Sequence, residues 1–198
     1  MKLIITRHGE TEENKQGIMM GHLPGELSIL GREQAQKVAL RLKNEKIDVI
    51  YSSDLARASD TAKEISKFHE NIKLIFTKEL RERNIGEYQG KKKSDLGWNN
   101  KDFKVASIEI KNGESLEELH KRAEKFLEEI IKKHTNKTVL LVGHNAINKA
   151  LISVLDGKNS EEIKKMENQY NTSINIIEIN ENGNKLLVFN CTEHLLSS

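Results

Sequence analysis

The chain has 198 residues, 36% hydrophobic and 31% charged, with 12 glycines and one proline. This is a globular composition, and the length predicts one domain spanning residues 1–198. Its 32 basic and 30 acidic residues leave a net charge of +2, which argues against a nucleic-acid binder, because phosphate-backbone affinity needs a clustered positive excess. Cys191 is the only cysteine, no apolar run reaches the roughly 18 residues of a membrane span, and Lys2 is followed by three apolar residues before Thr6 and Arg7. The expectation is a cytoplasmic protein with no disulfide, signal peptide or membrane partner.

In chain order, residues 2–6 read as a short buried strand that stops at Arg7-His8-Gly9. Residues 9–31 are polar and glycine-punctuated, predicting a loop with little regular structure. A helix follows at 32–45, with Ala35, Val38, Ala39 and Leu42 at helical spacing, then a strand at 48–52. Residues 55–69 place Leu55, Ala58, Ala62, Ile65 and Phe68 on one helical stripe, and 72–76 read as an edge strand. Two copies of the chain would have that edge available for a homodimer. Residues 78–112 have weak periodicity. The clearest helix is 115–134, with Leu116, Leu119, Ala123, Phe126, Ile130 and Ile131 as its apolar stripe and a Ser115/Glu118 capping box. A strand at 138–142 ends at Gly143-His144-Asn145, followed by helices at 146–155 and 160–166. Residues 173–179 and 185–190 flank Asn182-Gly183 as a β-hairpin. This alternation predicts an α/β fold, a three-layer α/β/α sandwich whose central sheet is mostly parallel with an antiparallel edge strand.

Two apolar runs far apart in sequence each deliver a histidine at a strand's C-terminal end, the side of an open α/β sheet where ligands bind. Arg7 accompanies His8, and Arg57 follows the second strand near a helix start. Arginine forks and helix N-termini both favour anions, so His8, His144, Arg7 and Arg57 make a candidate site for a phosphate-like dianion. A neutral imidazole can also be a nucleophile. Hydrolysis through it would need a carboxylic acid to protonate the leaving alcohol.

The set Arg7-His8-Gly9-Glu10-Thr11 with Asn14, then Leu55-Ala56-Arg57, Leu80-Arg81-Glu82-Arg83-Asn84-Ile85-Gly86 through Gly90, Gly113-Glu114-Ser115, Gly143-His144-Asn145 and Asn190–Leu195 resembles the histidine phosphatase superfamily, its phosphoglycerate-mutase-like branch. The match runs in order over essentially the whole chain. The resemblance implies that His8 becomes phosphohistidine, that Arg7, Arg57 and His144 hold the phosphoryl oxygens, and that Glu82 is the general acid and then the base. It further implies a phosphate contact from Asn14, and a pocket lining from Gly21, His22 and Asn145. It implies no metal and no other cofactor, and the sequence has no Cys/His cluster at metal-ligand spacing.

The mutase-type members carry a long insertion between the acid loop and the Gly-Glu-Ser helix; here only a short cap segment at about 91–112 separates them. A short cap leaves a phosphohistidine open to water. The expected activity is therefore metal-independent hydrolysis of a small phosphorylated substrate. Phosphoglycerate mutase-type transfer is the alternative, because Glu82-Arg83 and Tyr88-Gln89-Gly90 follow the mutase wording. A non-catalytic phospho-ligand binder is the reading from another class. Other residues have two readings. Lys91-Lys92-Lys93 is a solvated run or an attractor of anionic substrate. Trp98 covers the site or anchors its loop. His22, beside its pocket-lining reading, and His194 each read also as a hydrogen-bonded loop or core residue. His69, His120 and His134 lie on or beside charged helix faces and are expected to be inert.

Overall fold

The computed structural model describes residues 1–98 and 108–196. Six strands form one sheet: β1 (Lys2–Arg7), β2 (Val49–Ser53), β3 (Lys73–Thr77), β4 (Thr138–Gly143), β5 (Ile174–Asn180) and β6 (Gly183–Cys191). Their spatial order is β3-β2-β4-β1-β5-β6. The β1–β4, β2–β4 and β2–β3 pairings are parallel, while β1–β5 and β5–β6 are antiparallel. Antiparallel pairing is thus confined to one side of the sheet, and β3 forms the opposite edge.

Strand side chains alternate between the two faces, and each face finds its own helices. Leu3, Ile5, Val49, Tyr51, Val139 and Leu141 pack under α4 (Leu116–Lys133) and α5 (Asn145–Leu155). Ile4, Ile50, Leu140 and Val142 pack under α2 (Ile29–Leu42) and α3 (Ala56–Ser66). The central strands are covered on both sides, so they read as unbroken apolar runs rather than alternating ones. Helix α4 opens with the expected capping box, Ser115 and Glu118 each accepting from the other's backbone N–H. Its register buries Leu119, Ala123, Phe126, Leu127 and Ile130.

Several expectations are corrected. Residues 9–31 are not irregular throughout: Thr11 caps a short helix, α1 (Glu12–Lys15), and Ser28 caps α2, which starts before residue 32. Phe68 lies past the end of α3 and is exposed, so the buried stripe ends at Ile65. The hairpin loop is Glu181-Asn182, because Gly183 already pairs with Asn180. His134 is buried against the core, its Nε2 2.9 Å from the Tyr51 hydroxyl, instead of lying on a charged face. A last short helix, α6 (Glu162–Lys165), precedes β5. Within the expected cap, the Trp98 ring lies 5.1 Å from that of Tyr88, while residues 99–107 lie outside the described residues. No described helix is long and apolar enough to cross a membrane.

Candidate active site

Strands β1, β2 and β4 run parallel and end together, with Arg7 in register with Gly143. Their C-terminal ends therefore bring Arg7-His8, Ser53 and His144 to one edge. The His8 N–H donates to the Gly143 carbonyl at 3.1 Å, extending the β1–β4 pairing one residue past the strand. Gly9 is required by proximity, since a Cβ there would lie 2.3 Å from the Gly31 carbonyl oxygen. A side chain at Gly31 would in turn meet the Glu10 carbonyl at 1.9 Å. The turn after His8 thus presses backbone to backbone against the start of α2.

His8 is 2% exposed. Its Nδ1 lies 2.7 Å from the Gly9 carbonyl oxygen. A carbonyl only accepts, so Nδ1 carries the hydrogen and Nε2 keeps its lone pair. Burial, then the Arg7 and Arg57 charges, hold the imidazole well below its ordinary pKa. His8 is therefore neutral near pH 7, and it lines a cavity of about 150 Å³.

His144 differs. It is fully buried, its ring centroid 4.9 Å from that of His8. Its Nδ1 accepts from Arg57 Nε at 3.2 Å, so Nε2 carries the hydrogen and donates to Ser53 Oγ at 2.9 Å. Burial, followed by Arg57, His8 and Arg7, pushes its pKa well below the ordinary value. His144 does not line the cavity. It sits behind Arg57 and holds that side chain in place.

Arg57 is 1% exposed. Beyond His144, it donates from Nη1 to the Leu23 carbonyl (2.8 Å) and from Nη2 to the Gly21 carbonyl (2.9 Å). Burial pushes its pKa down to about 10, against the opposing pull of Glu82, so it stays cationic at neutral pH. Arg7 donates from Nη1 to the Gln169 carbonyl at 2.6 Å, while its buried Nε has no partner. An orphaned buried guanidinium donor is costly unless a ligand oxygen meets it. Glu82 faces these cations across the cavity. Its Oε1 accepts from Ala146 N at 2.9 Å and Arg83 N at 3.0 Å, which places the carboxyl at the N-terminus of α5.

Of the other expected site residues, Asn14, Gly21 and Asn145 line the cavity. Asn14 Oδ1 is already committed, accepting from Thr11 N at 3.2 Å as part of the α1 cap. Asn145 Oδ1 accepts from Gln169 N at 2.8 Å. His22 does not line this cavity, which corrects its pocket-lining reading in favour of the hydrogen-bonded loop one: Nε2 donates to the Glu82 carbonyl at 2.7 Å. The Lys91–Lys93 run divides between its two readings: all three side chains are exposed, and Lys93 also lines the cavity. Among the described residues, no cluster of His, Cys, Asp or Glu is suited to hold a metal ion.

The sequence reading missed four contributors. Ser53, the last residue of β2, accepts from the His144 Nε2–H that the Arg57 contact leaves on that nitrogen. Lys149 is 1% exposed and lines the cavity one helical turn after Asn145; a lysine inside the apolar run Ala146–Leu155 is the signal that would have found it. Thr172 holds φ at 55°, a left-handed conformation that strains a β-branched residue by ~1–3 kcal/mol. Its N–H donates to the Arg7 carbonyl at 3.1 Å, and Asn171 Nδ2 donates to the His8 carbonyl at 3.0 Å. The strain is local, and its return is a clamp on the turn that carries His8.

With this geometry in view, the chain can be set beside known proteins. The family profile described as histidine phosphatase superfamily (branch 1) matches residues 3–192. Phosphoserine phosphatase 1 of Hydrogenobacter thermophilus is 34% identical over 204 residues, covering 98% of this chain and 94% of that protein. Phosphoglycerate mutase-like protein 4 of Arabidopsis thaliana is 33% identical over 186 residues, covering 90% and 79%. Among solved structures, phosphoserine phosphatase from Entamoeba histolytica in complex with 3-phosphoglyceric acid superposes with a TM-score of 0.83 at 30% identity, covering 98% of each chain.

Proposed function

Because the chain belongs to the histidine phosphatase superfamily, branch 1, we propose that it hydrolyses a small phosphomonoester through a phosphohistidine on His8. The observation that carries this reading is the His8 ring: Nδ1–H is tied to the Gly9 carbonyl, and the neutral ring lines a cavity shared with Arg7, Arg57 and Glu82. In the first step His8 Nε2 attacks phosphorus, the P–O bond to the alcohol breaks, and the departing oxygen takes the proton of Glu82. In the second, water attacks phosphorus and gives a proton to the Glu82 carboxylate. The N–P bond breaks, its electron pair returns to Nε2, and inorganic phosphate leaves.

Arg7 and Arg57 supply the positive charge that the transferred group needs, from positions fixed before substrate arrives. The unpartnered Arg7 Nε is a donor suited to a phosphoryl oxygen. The cavity of about 150 Å³ is small beside the ~300–1,000 Å³ of drug-sized pockets, which favours a compact substrate. Lys93, beside Arg7, favours a second negative group on it, such as a carboxylate. Relatives named as phosphoserine phosphatases support that class. A metal-independent relative supports hydrolysis without a metal ion, so activity should persist in excess EDTA. The short segment between Gly90 and Gly113 favours water over a second hydroxyl as acceptor.

The test is a panel of small phosphomonoesters, assayed with the natural chain and with His8→Ala, with the phosphoenzyme trapped in alkali during turnover. An acid-labile, alkali-stable phosphoenzyme and released inorganic phosphate are expected, both lost in His8→Ala. Equal, feeble hydrolysis by the two proteins would leave a phospho-ligand binder. Passage of the phosphoryl group to the second hydroxyl of phosphoglycerate would leave a mutase, the reading favoured by the mutase-like relative.

A further inference from the structure

Arg122 projects from the second turn of α4, well outside the cavity lining. It makes a bidentate pair with Glu114, from Nε to Oε1 at 2.7 Å and from Nη2 to Oε2 at 2.8 Å. Its remaining donors go to main-chain carbonyls of the loop that carries Glu82. Nη1 reaches Glu79 O at 2.5 Å and Arg81 O at 3.0 Å, and Nη2 lies 3.5 Å from Glu82 O. Both partners of the pair are largely buried, their side chains 17% and 15% exposed.

Glu114 extends the grip. Its Oε2 accepts from Asn84 N at 3.2 Å, its N–H donates to the Asn84 carbonyl at 2.8 Å, and its carbonyl accepts from Arg83 Nε at 2.7 Å. His22 approaches from the other side, donating to the Glu82 carbonyl at 2.7 Å, and its own N–H is held by Gln89 Oε1 at 2.6 Å. The segment 79–84 has no α-helix or strand of its own beyond a single 3-10 turn at Lys78–Leu80. Its shape rests on these side chains.

We infer that Arg122, locked by Glu114 and opposed by His22, is a positioning residue that sets where the Glu82 carboxyl stands against the leaving oxygen. None of the three reaches the reacting atoms. The guanidinium fork spans three carbonyls, those of Glu79, Arg81 and Glu82, whereas a lysine ammonium would act as a point charge and release at least two of them. This inference rests on Glu82 being the proton donor.

The test uses the dependence on leaving group. An alkyl phosphomonoester needs a proton for its departing alkoxide; p-nitrophenyl phosphate does not, because p-nitrophenolate leaves unaided. With Arg122→Met, kcat/KM for O-phosphoserine, which reports the step that forms phosphohistidine, is expected to fall on the order of 10²-fold, the cost of misplacing a catalytic group by about 1 Å. For p-nitrophenyl phosphate, kcat/KM should fall less than about threefold, while any slowing of the water step that Glu82 also serves as base lowers kcat for both esters alike. Glu82→Gln should show the same preference, and adding Arg122→Met to it should cost nothing further. His22→Gln should show a weaker version. If Arg122→Met does not fold, Arg122→Lys carries the same test, because it keeps the charge and loses the fork.

An equal loss on both esters, or additive losses in the double variant, would make Arg122 a general structural residue and overturn the inference. Failure of the underlying reading looks different. Without a phosphoenzyme on His8 the proposed reaction falls, and without a leaving-group preference in Glu82→Gln the proton-donor role falls, whatever Arg122 does.

Discussion

His8 and His144 follow neighbouring parallel strands, one residue past each strand's end, and both are buried with depressed pKa values. Their hydrogen bonds separate them. His8 spends one ring nitrogen on its own turn and lines the cavity with the rest of the ring. His144 spends both nitrogens on protein, one on Arg57 and one on Ser53, and lies behind the cavity wall. Two similar strand-end motifs thus yield a candidate nucleophile and a support for a buried arginine at the cavity wall. The difference follows from what each strand end faces. Gly9 offers only an acceptor to His8, whereas His144 meets a donor in Arg57.

The sharpest way to break this comparison is to remove each ring in turn. His8→Ala should lose at least about 10³-fold in kcat and form no phosphoenzyme, since no other group replaces an attacking nucleophile. His144→Ala should lose about 10²-fold, the usual range for disturbing one preorganised donor, yet still trap a phosphoenzyme on His8. A trapped phosphoenzyme in His8→Ala, or none in His144→Ala, would erase the distinction.

Acid stability is a second probe. His8, His144 and His194 all have folded pKa values below the ordinary 6.5, mainly through burial, and that of His194 falls to about 4. Above about pH 6.5 both states are neutral at these sites. Below it the unfolded chain takes up protons that the folded chain refuses, so stability falls with pH until the folded values are reached. Melting temperature should drop between pH 7.5 and 5.5, before most carboxylates titrate, and His194→Gln should flatten part of the drop. A rise over that interval would contradict the neutral buried state.

The smallest expected effect is at Ser53. Losing one neutral hydrogen bond costs ~0.5–1.5 kcal/mol. Ser53→Ala takes away the acceptor of His144 Nε2–H and should lower kcat/KM roughly 2- to 10-fold by that energy, with its KM and kcat measured separately. A variant identical to the natural chain would show that Arg57 alone suffices to orient His144.

Much of this architecture was legible beforehand. The apolar runs at Leu3–Ile5 and Val139–Val142 marked central strands, since only strands covered on both faces tolerate such runs. The Ser115/Glu118 pair marked the start of α4 because capping is local chemistry. Arg7, His8, Arg57, Glu82 and His144 read as one site; the first four line one cavity, while His144 lies behind Arg57. His22 was placed in that cavity but braces the Glu82 carbonyl, because its direction depends on how two loops meet. Lys93 resembled its neighbours Lys91 and Lys92 in sequence, and only its packing near Arg7 sets it apart.

The sequence by itself determined the elements, their order and the residue types gathered at the sheet's C-terminal edge. Those follow from interactions within a few residues of one another: side-chain periodicity, caps and strand-ending glycines. Only the tertiary structure decided which histidine keeps a free lone pair, which lysine reaches the cavity and which arginine holds the acid loop. The pairs that tie His144 to Arg57 and to Ser53 join residues 87 and 91 apart, and Arg122 reaches the Glu79, Arg81 and Glu82 carbonyls from 40 to 43 residues away. No local pattern encodes a pairing at that separation, because it exists only once the sheet has brought the strand ends together.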